Sequence, residues 1–196
     1  MNILPTDHNL TLAAAMIAEM EPYLLSAEIY WPIDSRKPRD GLSFPRLTLG
    51  SLQLTMDQLQ AVQGEMTPAQ ASDHRRLVMF VDQLRFKHAV ALESKAVREA
   101  GSRLNLWRAF VLDLEETPRR AGNYEYEVRH RVMLARLEEF AGDHIDFREK
   151  RAAAEAVDRR LRAMFVDDAF RWDARLETIY PREVYWYLYG HPREDV

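Results

Sequence analysis

Apolar positions recur at intervals of three and four along most of this chain, and the longest such stretch runs from Thr67 to Thr117. Leu77, Val81, Leu84, His88, Leu92, Ala96, Leu104, Trp107, Val111 and Leu114 fall on one helical stripe. The stretch opens on Thr67-Pro68-Ala69-Gln70, which supplies an N-cap hydroxyl, a proline at the first helical position and a capping-box glutamine. It closes before Pro118, which cannot continue a helix. A second stripe follows the turn at 117–123. Tyr126, His130, Met133, Leu137, Phe140, His144, Phe147, Arg151, Ala154, Asp158, Leu161 and Phe165 are spaced as a heptad seam with polar interruptions.

A length estimate bears on how these stripes fold. Residues 68–116 as one straight helix would span about 73 Å at 1.5 Å per residue. A compact globule of this chain length is only about 42 Å across. Either Gly101-Ser102 breaks the helix or the molecule is elongated; the stripe keeps its phase across Gly101, which favours elongation. The pattern therefore predicts an all-α helical bundle built on a long antiparallel helix hairpin, about 68–116 and 124–166. Pairing about the turn sets Trp107 against Met133, Leu104 near Leu137, Ala96 near His144 and Leu92 near Phe147.

Shorter helices are expected from both termini. The first runs to about Met20, capped by Asp7 or Asn9, and a second begins near Pro22. Residues 32–46 form a proline-rich loop. Residues 46–56 fit two patterns, a hairpin turning at Gly50-Ser51 or a helix capped by Thr48. An isolated hairpin is marginal without further strands, so the helix is preferred. From 167 onward the tail is crowded with aromatics, including Trp172, Tyr180, Tyr185, Trp186, Tyr187 and Tyr189. Pro181 can start a last helix and Gly190 can cap it, and the tail is expected to dock on the Tyr30-Trp31 region or on a partner. The whole, residues 1–196, reads as a single all-α domain.

Composition narrows the chemistry more than it identifies it. With 47% hydrophobic and 30% charged residues the chain has the balance of a folded globular protein. The absence of cysteine excludes disulfides, thiolate metal sites and a cysteine nucleophile. It also fits a cytoplasmic setting, as does the lack of a signal-peptide pattern around the short apolar run at 10–17. The net charge of −4 has no strongly basic segment behind it, which argues against nucleic acid as a partner.

No Walker loop, nucleophile elbow or dinucleotide fingerprint is present. Glu127 and His130 make one Glu-x-x-His pair of the kind used in carboxylate-bridged metal bundles, but the second copy such a site needs is missing, so neither metal nor cofactor is expected. The best candidate site lies where the two arms meet at the hairpin tip. There Arg103, Asn105, Trp107 and Arg108 face Tyr126, Arg129 and His130, and arginines beside aromatics suit a carboxylate or phosphate. Three functions follow as expectations, in descending order. The first is a non-enzymatic interaction or scaffold protein that self-associates, as a homodimer, through its excess helical surface. The second is a bundle binding a small anionic ligand near the hairpin tip, with a metal-dependent enzyme as a third.

Overall fold

The computed structural model describes residues 1–33 and 44–193, and among them the protein is all-α apart from one small strand pair. Helices α1 (Thr6–Ala18) and α2 (Met20–Leu25) come first, then α3 (Leu49–Ala61), α4 (Pro68–Lys87) and α5 (Ala89–Glu116). Residues 46–56 are helical from Leu49, as the capping chemistry requires. The Thr48 hydroxyl accepts from Ser51 N at 3.0 Å, and the Ser51 hydroxyl accepts from Thr48 N at 2.9 Å. The same reciprocal box starts α4 with Thr67 and Gln70. At α1 the expected Asp7 or Asn9 cap is absent: Pro5 holds the N-cap position without a side-chain bond.

The long first arm is not one helix. It is interrupted at His88, where φ −122° and ψ 29° leave the helical region, and not at Gly101, which lies inside α5. The two halves bury against different neighbours: α4 packs on α1, whereas α5 packs on the chain that follows it. Glu21 of α2 fixes the joint from outside, with Oε1 2.5 Å from Lys87 Nζ and 3.3 Å from His88 Nε2.

The second arm is likewise a series, α6 (Tyr124–Glu127), α7 (Arg129–Arg136), α8 (Glu138–Ala141) and α9 (Ile145–Ala163). At Val128 and Leu137 the turn only tightens, with i→i+3 bonds from Arg131 N and Phe140 N. The true interruption is Gly142, whose φ of 52° is cheap only for glycine. His144 then caps α9 by accepting from Asp146 N at 3.2 Å.

Helix α5 is common to two cores. Its C-terminal half, Leu104, Trp107, Phe110, Val111 and Leu114, joins Tyr124, Val128, Met133 and Leu161 in the first. Its N-terminal half, Leu92, Ala96, Val97 and Ala100, joins Met16, Met20, Leu137, Phe140 and Phe147 in the second. Trp107 with Met133 and Leu92 with Phe147 thus share cores, while Leu104 and Leu137 fall in different ones.

The aromatic tail packs on the first core and not on Tyr30-Trp31. The Tyr124 hydroxyl donates to Tyr187 O at 2.6 Å, and the Phe165 ring lies 5.9 Å from that of Tyr124. Strands β1 (Phe165–Phe170) and β2 (Tyr189–Pro192) pair antiparallel with a bulge between Asp167 and Phe170. Gly190 is not a helix cap: it sits in β2 opposite Asp167, with φ 149°. Helix α10 (Arg182–Tyr185) does follow Pro181.

Candidate functional site

The seven residues expected at the hairpin tip divide into three groups. Arg103, Trp107 and His130 are buried; Tyr126 and Arg129 face a cleft; Asn105 and Arg108 are exposed elsewhere, Arg108 beside Val157 and Arg160 on the far side of α5. The expected joint site of all seven is therefore not formed.

Arg103 is fully engaged. Its Nη2 donates to Glu99 Oε1 and to Thr48 Oγ1, both at 2.8 Å, and its Nε donates to Glu99 Oε1 at 3.0 Å. Glu99 Oε2 in turn accepts from Leu49 N at 2.8 Å, with Gly50 N also within reach, so a buried carboxylate from α5 completes the N-terminus of α3. Gly50 is required there, because a Cβ would stand 2.9 Å from both Glu99 Oε1 and Met133 Cβ.

The fourth member of this network fixes a tautomer. Arg103 Nη1 lies 3.3 Å from His130 Nδ1, and a guanidinium only donates, so Nδ1 accepts and the ring proton sits on Nε2. That proton points at Glu127 Oε2, 3.6 Å away. Burial first, then the positive charges of Arg103 and Arg129, bring the His130 pKa down to about 3. The imidazole is neutral and structural. Trp107 is spent as well, its Nε1 donating to Asp158 Oδ1 at 3.0 Å, where Arg131 also binds.

In front of this network lies a cleft of about 460 Å³, within the usual size of small-molecule sites. The N-terminal segment and α1 give it Met1, Leu4, Asn9 and Leu12; α3 gives Ser51, Leu54, Thr55 and Gln58; α6 and α7 give Glu125, Tyr126, Arg129 and Met133. Its polar groups are mostly committed already. Asn9 Nδ2 donates to Gln58 Oε1 at 3.0 Å, and the Thr55 hydroxyl donates to Ser51 O at 2.9 Å. Glu125 is neutralised by Arg171 at 2.9 Å and by the Met1 ammonium group at 4.0 Å.

Arg129 is different. Its guanidinium stacks on the Tyr126 ring, 3.3 Å from the centroid. Its Nε is buried without a hydrogen-bond partner, and no carboxylate pairs with it among the described residues. The cleft thus combines apolar walls with one planar cation whose donors are unfilled. Sequence reasoning found that cation and its aromatic platform but missed the opposite wall. Asn9 reads as a helix cap and Leu54 and Gln58 as ordinary helix positions; nothing local brings α1 and α3 to face α7.

No group of three or more metal-ligating side chains converges among the described residues, and none of their helices is long and apolar enough to cross a membrane. No protein-family model, curated protein or solved structure matches this chain.

Proposed function

We propose that the protein binds a small organic anion, an apolar body bearing a carboxylate, in the cleft between α1, α3 and α7. The reading is carried by Arg129: a guanidinium held flat on Tyr126, with donors that no protein group fills, at the edge of an apolar cleft. A carboxylate pairs with this cation, while Leu4, Leu12, Leu54 and Met133 accept the apolar body. Binding alone, with no chemical step, accords with the lining: the Ser51 and Thr55 hydroxyls donate to backbone carbonyls, and no histidine borders the cleft.

Thermal melting against matched probes tests this. Phenylacetate and hexanoate are expected to raise the midpoint more than 2-phenylethanol and hexanol at equal concentration, since a ligand of the folded state stabilises in proportion to its occupancy. Arg129→Gln is expected to remove the advantage of the acids, about tenfold or more in affinity for a lost charged hydrogen bond. Acids and alcohols acting alike, or the variant binding acids as well as the parent does, would refute the reading.

A further inference from the structure

Helix α4 has two apolar faces, and only one of them is covered. Of its 20 residues only His74, Leu77 and Val81 are buried, all toward α1. On the outer side Met79 is 60% exposed, Phe86 93% and, at the start of α5, Val90 79%. Isolated exposed apolar residues need no explanation, but these share a line. Arg76, Met79, Gln83, Phe86, Val90 and Glu93 are spaced alternately three and four, an a/d heptad seam whose apolar members point outward, while Arg76 and Gln83 also edge grooves against α1 and Glu93 one against α8. Hydrogen bonds to the i−4 carbonyl persist on both sides of the joint, from His88 N to Leu84 O and from Leu92 N to His88 O, each at 2.9 Å.

The seam is complementary to itself when reversed. Antiparallel pairing in which facing positions sum to 169 sets Met79 on Val90, Gln83 on Phe86 and Arg76 on Glu93, each twice by symmetry. Every layer then joins an a to a d position, as antiparallel seams require. The charges at the two ends are available for this. Arg76 is held only by Asp73 in an exposed contact within one turn, and Glu93 has no ion-pair partner among the described residues.

We infer that a second copy of this chain covers this face, forming a homodimer through an antiparallel α4–α5 seam. The inference is independent of the ligand cleft, which lies on the other side of α1. Phe86 is the anchor, and the Arg76–Glu93 pairs at the ends fix the register.

Sedimentation equilibrium of the full chain between about 1 and 100 μM tests this directly. The expected result is a dimer of twice the 23.0 kDa chain mass, with Phe86→Glu weakening association about 100-fold or more. Arg76→Glu alone weakens it, and Arg76→Glu with Glu93→Arg restores it. Because the chain has no cysteine, a single Ser72→Cys spin label reads orientation: about 40 Å between copies when antiparallel, against about 15 Å when parallel. Arg76 and Phe86 are exposed and Ser72 and Glu93 half-buried, and unchanged circular dichroism verifies that the variants fold. A monomer at every concentration, a dimer indifferent to Phe86→Glu, or a short label distance each overturns the inference.

Discussion

At the scale of single residues, the network behind the cleft shows how buried polar groups constrain one another. His130 is held neutral first by its burial and then by the charges of Arg103 and Arg129, and the sign of its effect on stability follows. The folded-state pKa of about 3 lies well below the unfolded value near 6.5. As pH falls through that window the unfolded chain takes up a proton that the folded chain refuses. The contribution is therefore complete above pH 6.5 and is lost progressively toward pH 3. Each pH unit of separation is worth about 1.4 kcal/mol, so several kcal/mol are involved. Urea unfolding of the parent at pH 7 and pH 5 is expected to show a clear fall in midpoint. His130→Gln keeps an acceptor for Arg103 and a donor for Glu127 but cannot titrate, and its fall should be smaller. Equal falls would show that the histidine is not the source. Asp57 works in the opposite sense, since burial raises its pKa and its contribution fades as pH rises. It is common to both proteins and cancels. The sequence already marks Arg103, Trp107 and His130 as lying on facing stripes. What it does not reveal is that Glu99, four residues before Arg103, binds the backbone of a helix start 50 residues earlier. That contact belongs to tertiary packing.

At the scale of elements, local signals were legible and distant ones were not. The capping boxes at Thr48 and Thr67 are complete within four residues, so their helices start where the sequence puts them. The interruption at His88 falls where α4 packs on α1 and α5 on the chain that follows it, and no breaker residue announces it. The strand pair escaped for a related reason. Phe165 continues the heptad stripe, and Gly190 reads as a cap, yet they lie in the two strands of one ladder, Phe165 opposite Pro192 and Gly190 opposite Asp167. In β2 a side chain at 190 is excluded twice over: its φ of 149° belongs to a region open only to glycine, and a Cβ would stand 2.1 Å from Val166 O. Gly190→Ala is expected to cost about 2 kcal/mol or more by chemical denaturation. Gly64→Ala, where a Cβ meets nothing within 4 Å, serves as the control and should be neutral or slightly stabilising. Comparable losses in both would show that the ladder does not exclude a side chain at 190.

At the scale of the whole molecule, the aromatic tail, the cleft at Arg129 and the outer face of α4 are three separate regions served by one scaffold. The tail seals the first core, with Trp172 Nε1 donating to Glu125 O at 3.0 Å from the same short helix that carries Tyr126. The cleft draws on α6 and the first half of α7, and α4 packs on α1. The stripes made the helical class legible; their division among these surfaces depends on which helix meets which. The sharing of α5 has a consequence in time as well as in space. Both cores draw on this helix, and once one half is docked the other half presents a ready apolar face to the second core's partners. The two cores should therefore cross one barrier together. Stopped-flow refolding can follow them separately, with single-tryptophan variants that retain either Trp31, beside the second core, or Trp172, within the first. The expected outcome is one exponential with the same rate from both probes. Two different rates would mean that the halves of α5 are organised one after the other.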